Sequence, residues 1–441
     1  MKKLHDIAEG CRSMLFILLF ILPGMVAQAA PHTLAKISVH AGSNTYADTP
    51  LTVSLEGLVP GIQQGSFRLV ETTEGISEPV TAQLKPGNPD RLAWILEGET
   101  PAQTVRTFSL QRIEPSDTPV DATPDIFLQD DGDDIRVIVG DKPVLNYRYT
   151  LKDVPEGVDP IFRRSGFIHP LWTPEGTRLT RIQPSGHYHH YGIWNPWTHT
   201  EFDGNEIDFW NLRKNQGTVI ARQPYERLNG KILGGFKALH DHVLIKGPTG
   251  TQTALNEQWI VDVWKADPEN SYWIVDFTSV ISAATSEPLT IKEYRYQGFS
   301  LRANEAWDDS NTQILTSEGY DKSNANATRA RWIDVRGPSS AKEHTGDATG
   351  TSGILMMTHP SNFNFPEQLR IWPVGASSGT ENVFINFNPA QDRDLIIEPG
   401  NTYAFKYRMI IYDGILGDDQ SERFWKNYAE PPRIVLEPVR H

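Results

Sequence analysis

Apolar and polar residues alternate along most of the chain, as in Leu51-Thr52-Val53-Ser54-Leu55 and Ala404-Phe405-Lys406-Tyr407-Arg408-Met409. Successive side chains of a strand point to opposite faces, so each such run predicts a strand with one buried face. Gly, Pro and Asn cut the runs at short intervals and supply the turns between them. Residues 30–112 read as a small all-β unit, an N-terminal β-sandwich accessory domain, in which Arg91-Leu92-Ala93-Trp94-Ile95-Leu96 is the clearest strand. Pro115, Pro119 and Pro124, set among acids and small residues, mark residues 113–124 as a linker. Ile126–Leu128 and Asp134–Val139 read as paired strands joined by a solvated turn at Asp130-Asp131-Gly132-Asp133.

Strand-like runs then recur to about residue 415, among them Val144–Tyr149, Trp259–Trp264, Tyr272–Ile281, Gly353–Met357 and Thr402–Ile411. A helical period emerges only at Asp419–Tyr428, which predicts one helix within a C-terminal segment 416–441 of helix and tail. So many strands in one unit exceed a small immunoglobulin-like sandwich and call for two large stacked sheets. The expected fold class is therefore all-β, a large two-sheet supersandwich over residues 125–415 preceded by the small N-terminal β-sandwich.

The N-terminus departs from this pattern. Lys2, Lys3 and Arg12 precede a short apolar run, Met14–Leu22, then Pro23-Gly24 and the small-x-small site Ala27-Gln28-Ala29. This order predicts a signal peptide over residues 1–29 and export to the periplasm or the medium. The apolar run is too short to span a bilayer, and no membrane span is expected elsewhere. The single cysteine, Cys11, would leave with the peptide, so no disulfide or thiolate chemistry is expected. A formal charge of −14 argues against nucleic acid as a partner, which would need a basic footprint.

Candidate chemistry concentrates between Ser185 and Trp210. This stretch holds four of the thirteen histidines (His187, His189, His190 and His199) and three of the twelve tryptophans (Trp194, Trp197 and Trp210). Glu201, Asp203, Glu206 and Asp208 lie among them. Imidazoles can move protons near neutral pH, and flat indoles offer a stacking face for a sugar. On a strand, His187 and His189 would share one face and His190 the other. The spacing is not that of helical zinc hydrolases. No cofactor is expected, and a divalent cation remains an alternative that would need a third ligand such as Glu293 or His359.

Two further segments carry candidates. In Lys292–Arg302, strand alternation would place Glu293, Arg295 and Gln297 on one face, with Glu293 as a general base and Arg302 as a bidentate clamp for a carboxylate. In Met357–Pro366, His359 opens a loop rich in amides and aromatics that includes Asn362, closely followed by Arg370-Ile371-Trp372. A salt-bridge row and an Asn/Pro-ordered turn are the respective structural alternatives.

These segments, in this order, resemble the PmoA-like domain family of unknown function. The resemblance rests on His169-Pro170-Leu171-Trp172, Gly186-His187-Tyr188-His189-His190-Tyr191-Gly192, Asp208-Phe209-Trp210, Glu293 to Arg302, and His359-Pro360-Ser361-Asn362. It covers roughly residues 125 to 413, and the departures are Gly186 for an acid, Tyr188 for a proline and Tyr191 for an arginine. It implies a galactose-mutarotase-like supersandwich by analogy, a scaffold shared by sugar epimerases, polysaccharide lyases and glycosidase domains. The methane monooxygenase activity in the family label is not expected of a chain without a membrane span.

The expected function is that of an exported carbohydrate-active enzyme, a hydrolase, lyase or epimerase working by His/Glu acid–base chemistry on a carbohydrate ligand. His187, His190, Glu293 and His359 form the expected catalytic set. His189, Trp194, Trp210, Arg302, Asn362 and Trp372 form the expected binding set. The alternatives are a non-catalytic glycan-binding protein and a His-centred metal-dependent enzyme.

Overall fold

The computed structural model describes residues 32–57, 61–113, 123–246, 250–267, 269, 271–339 and 350–439. The expected signal peptide, Cys11 and most of the expected linker lie outside the described residues. The fold is all-β as expected, with antiparallel sheets throughout and the single α-helix of the described residues at Asp418–Ala429.

Two large sheets face each other across one core. One sheet of nine strands is centred on Leu233–Ile245, Thr251–Trp264, Tyr272–Ala283 and Tyr403–Asp413. The other, of eight strands, runs from Gln368–Ile371 through Phe384–Asn388, Phe299–Arg302, Ile193–Trp194 and Phe167–Leu171 to the hairpin Ile126–Asp130/Asp134–Val139. Asp131 closes that hairpin by accepting from the amides of Asp133 and Asp134 at 2.9 and 2.7 Å, the solvated turn expected there. Aromatic side chains join the two layers: the rings of Phe299 and Tyr407 stack 4.3 Å apart, and Phe277 lies 4.8 Å from Phe299.

The nine-stranded sheet is covered on its second face as well. Along Tyr403–Asp413, Phe405, Tyr407, Met409 and Ile411 enter the central core, while Ile410 and Tyr412 enter a second core shared with the N-terminal unit. That unit is the expected small sandwich, a five-stranded sheet packed on a three-stranded one. Gln83 docks it by donating to the Leu233 carbonyl at 2.9 Å and accepting from the Ile232 amide at 3.0 Å.

Part of the expected C-terminal tail is a strand. Residues Arg433–Pro438 form a strand that pairs with His32–His40, placing Leu436 opposite Ile37 and Ile434 opposite Val39. Ile434 and Leu436 give this segment a partly buried side, and the open edge of the N-terminal sheet supplies the partner. The chain therefore closes on itself through the accessory sandwich.

Asn362 belongs to this framework and does not reach a ligand. Its side-chain amide donates to Thr358, Glu367 and the Lys406 carbonyl, and its oxygen accepts from the Lys406 amide at 2.8 Å. The Glu367 carboxyl is fully buried, and that burial raises its pKa from 4.5 to about 7 against the opposing hydrogen bonds from Thr358, Tyr407 and Asn362. Between these two values the folded protein holds a proton that the unfolded chain releases, so this group's contribution to stability falls as pH rises through the window. Glu367→Gln should keep the neutral hydrogen bonds and remove the loss. Thermal melts at pH 8 should show a Tm higher than wild type by roughly 2–4 °C, with little difference below pH 5; a lower Tm at both would contradict this account.

Candidate functional site

The histidine segment lies in two consecutive turns, not in a strand, and this changes which imidazoles meet. The His187 amide donates to the Pro184 carbonyl at 2.9 Å, and the His190 amide to the His187 carbonyl at 3.0 Å. An isolated bridge between Ile182 and Tyr191 closes the neck of the loop. Strand alternation does not apply inside turns, so all three rings converge: centroids are 5.1 Å apart for His187 and His190, 4.6 Å for His189 and His190, and 5.8 Å for His187 and His189. Gly192 anchors the loop at its exit with φ 55°, its Cα so close to the strand Phe167–Leu171 that a Cβ would sit 2.3 Å from the Ile168 carbonyl oxygen.

The histidines form one wall of a cleft of about 530 Å³. Trp372, Tyr296 and Asn211 line it with them, and Arg295 and Arg370 stand at the same opening. Trp372 lies 4.6 Å from His187 and 5.7 Å from His190 and remains partly open to solvent. Trp194 and Trp210, expected as stacking faces, are fully buried. They pack 5.1 Å apart with Phe384 as the floor, and the His190 ring stacks on Phe384 at 5.0 Å. Both rings pack against His190, and although Trp210 is among the residues lining the cleft, neither ring is open enough to offer a face to a sugar.

Burial sets the protonation state of the histidines. His190 is enclosed, and burial, reinforced by His189, Arg302 and His187, holds its pKa well below the ordinary 6.5. Burial lowers His189 to about 3, with His187, Arg164 and Arg302 adding to the effect. His187 is lowered by burial and then by Arg302. All three are uncharged at neutral pH, able to accept a proton or to donate one N–H.

Arg302 does not clamp a ligand from the cleft wall. It is buried behind Trp372, with its guanidinium 4.6 Å over the indole and Nη2 donating to the Glu381 carbonyl at 2.6 Å. Its Nε and Nη1 are buried without a hydrogen-bond partner. The other expected residues lie elsewhere. Glu293 is exposed and outside the cleft lining, with its amide held by Asp394 at 2.7 Å. The cause is local: the strand Leu289–Ile291 ends before it, and residues 292–298 cross irregularly to Phe299–Arg302, so alternation fails there. Gln297 is consequently buried, and its oxygen accepts from the Thr198 amide at 3.2 Å. His359 bonds Ser361 at 2.8 Å and meets Tyr428 of the C-terminal helix at 5.2 Å, and burial lowers its pKa to about 4.

The carboxylates of the motif are used structurally. Asp208 accepts from the amides of Trp210 and Asn211, both at 2.8 Å, and Glu201 pairs with Lys292 at 3.1 Å. Among the described residues, no group of three or more His, Cys, Asp or Glu side chains is arranged to hold a metal ion. Likewise no helix there is long and apolar enough to cross a membrane.

Residues 134–426 match the model of a family described as of unknown function, DUF6807. The chain belongs to the DUF6807 family. The match contains every residue of the cleft and leaves out the N-terminal sandwich, so in this DUF6807 member the site belongs wholly to the family portion. A family of unknown function is also what the sequence resemblance implied. No curated protein matches the chain. Among solved structures, an alpha-mannosidase from Enterococcus faecalis V583 aligns over 92% of this chain and 46% of its own at 8% identity, with a TM-score of 0.40. A TPR-domain containing protein from Parabacteroides distasonis ATCC 8503 aligns over 88% of this chain and 56% of its own at 11% identity, with a TM-score of 0.25. The DUF6807 chain thus spans about half the length of the structures it matches, and at these scores neither likeness carries an argument about function.

Sequence reasoning missed Arg295, Tyr296, Arg370, Asn211 and Phe384 as lining residues. Arg295 and Tyr296 lay inside a segment singled out for its charges, with the register misassigned. If Gly192 pins the histidine turns as described, Gly192→Ala should destabilise this DUF6807 protein by roughly 1–3 kcal/mol, because the new methyl meets a backbone oxygen and the left-handed φ adds strain. Chemical denaturation measures this, and an unchanged midpoint would show the turn is not so constrained.

Proposed function

We propose that this protein is an exported carbohydrate-active enzyme whose His187–His190 turn transfers protons to and from a bound sugar. The observation that carries the reading is the convergence of three uncharged imidazoles on one cleft walled by a partly open indole and a tyrosine. Its volume suits a ligand of small-oligosaccharide size. Trp372 and Tyr296 offer apolar faces to a sugar ring, and Asn211 offers hydrogen bonds to hydroxyls.

The lining narrows the reaction. Hydrolysis at a glycosidic bond ordinarily uses two carboxylates flanking it, and no Asp or Glu is among the lining residues. Proton abstraction by a neutral imidazole, as in a lyase or an epimerase, needs none. His187 is the favoured base because it is half-exposed and its pKa is the least perturbed by burial among the three. His190 would hold the substrate through an N–H while the buried tryptophans fix its ring. The missing carboxylate equally favours a second reading, a glycan-binding protein without turnover, so the deciding test must follow product as well as binding.

The test is a panel of oligosaccharides incubated with the secreted protein and with His187→Ala, His190→Gln and Glu293→Gln. Loss of product by at least about a hundredfold is expected for the two histidine variants, and wild-type rates for Glu293→Gln, which lies outside the cleft. Product formed equally by all four proteins would refute the role of the histidines; binding without product from any of them would leave the lectin-like reading. Because the base must be uncharged and its pKa is lowered, the acid-side fall in kcat/KM should begin only below the ordinary histidine value of about 6.5. An ordinary histidine would already lose activity near pH 6.5, and such a profile would argue against a buried imidazole as the base.

A further inference from the structure

The charges around the cleft point to something the carbohydrate reading alone does not specify. The chain as a whole is acidic, with 55 Asp and Glu against 41 Lys and Arg. The cleft reverses that balance: two arginines and three histidines line it, and no acid does. Several buried or half-buried arginines elsewhere in the fold are matched to carboxylates, as in Arg106–Glu71, Arg408–Asp276 and Arg331–Glu422, whereas the buried Arg164 is held by the Phe209 carbonyl at 2.9 Å.

The cleft arginines are not so matched. Arg295 is exposed and lies 5.9 and 5.4 Å over the rings of Tyr294 and Tyr296, with no carboxylate within ion-pair distance among the described residues. Arg370 gives Nη1 to the Asn326 side chain at 3.0 Å, while its Nε is buried without a partner. Burial and the repulsion of Arg295 lower the pKa of Arg370, so the two cations stand close enough to disfavour each other. Behind them Arg302 is 2% exposed with two nitrogens unpartnered. Unpartnered guanidinium nitrogens on the buried Arg302 and half-buried Arg370 are costly, and the Glu381 carboxylate near Arg302 is itself paired to Arg181. A ligand anion would supply the counter-charge that Arg370 and the exposed Arg295 lack.

We infer that the ligand of this cleft is an anionic oligosaccharide, bearing a carboxylate or a sulfate ester, whose charged group is taken by Arg295 and Arg370 at the mouth and faces the positive field of Arg302 behind Trp372. The inference rests on the carbohydrate reading and adds its substrate class. Both anions present several oxygens to a planar fork of N–H donors, which is the geometry guanidinium groups recognise. The uncharged histidines complement the arrangement, since they can approach such a ligand without competing for its charge.

Binding decides the matter independently of turnover. Uronate, sulfated and neutral oligosaccharides of equal length would be titrated calorimetrically into the secreted protein and into Arg295→Gln, Arg295→Lys and Arg370→Gln. At least one charged set should bind wild type about tenfold or more tightly than the neutral set, with affinity falling as salt rises. Arg295→Gln should weaken the charged set about tenfold and the neutral set far less, while Arg295→Lys, which keeps the charge but not the planar fork, retains only part of that affinity. Arg295 is exposed, so its variants test the idea even if Arg370→Gln folds poorly. Preference for uronate over sulfated ligands assigns the carboxylate, and the reverse assigns the sulfate ester. Equal binding of neutral and charged sets, or indifference of the charged set to Arg295→Gln, overturns the inference and spares the carbohydrate reading. Absence of binding to any oligosaccharide removes both.

Discussion

Glu257 sits at the centre of the supersandwich with its carboxylate wholly withdrawn from solvent, and side chains from both large sheets converge to satisfy it. One oxygen accepts from the Ser279 hydroxyl at 2.6 Å and from the Asn195 amide at 2.8 Å. The other lies 2.8 Å from His242 Nε2 and 3.6 Å from His240 Nδ1. His240 in turn meets the Tyr147 hydroxyl at 2.7 Å across the core. Burial alone would push this carboxyl toward its neutral form; the surrounding histidines outweigh that and hold its pKa low. A buried network of this kind is unforgiving, because removing any partner strands a polar group in a low dielectric. It therefore fixes how the two sheets face each other, and Asn195 carries the constraint directly into the chain between the histidine turn and Trp210.

The cleft depends on that rigidity. Its floor of Trp194, Trp210 and Phe384 is contributed by three separate segments of chain, and His190 sits on all three. The close approach of Gly192 to Ile168 and the Asp208-capped turn at Trp210 hold two of those segments in register. The enclosure so formed keeps the imidazoles uncharged, while the guanidinium groups around them stay charged because their pKa values begin so much higher: even Arg302 is lowered only to about 9. Positive charge and proton-accepting capacity thus reside in different residues of one cleft. Either alone would be an ordinary feature of a β-protein; their adjacency makes the site chemically specific.

The all-β architecture was legible in the sequence because alternation is a local signal that marked most strands, while a separate helical period marked the C-terminal helix. That His187, His189 and His190 lie near one another was legible too, because three imidazoles within four residues need no knowledge of pairing; Trp372 meets them from a segment far along the chain. What failed was whatever depended on partners far away in sequence. The strand Arg433–Pro438 has meaning only beside His32–His40. The alternation reading of Glu293 assumed a strand where the chain crosses between sheets. Asn362 looked like a loop residue free to meet a ligand, yet Glu367 and the backbone of Lys406 consume its bonding capacity. Glu257 was invisible because its register opposite His240 joins two strands whose pairing the sequence does not state.

The separation of the three imidazoles by depth bears on how a proton would move. Charging an imidazole costs most where burial is complete and cations are near, and His190 meets both conditions. His187, at the edge and against the open indole of Trp372, meets them least. A proton taken from a ligand would therefore settle on the outermost ring, while the innermost remains neutral and directional. With Glu293 outside the cleft, in the proposed chemistry that gradient would take the place of the carboxylate–imidazole pair that residue types alone had indicated. An anionic ligand would steepen the effect in the useful direction, because a negative charge lodged beside Arg295 and Arg370 would stabilise the imidazolium formed next to it and offset the cationic field that otherwise opposes its formation.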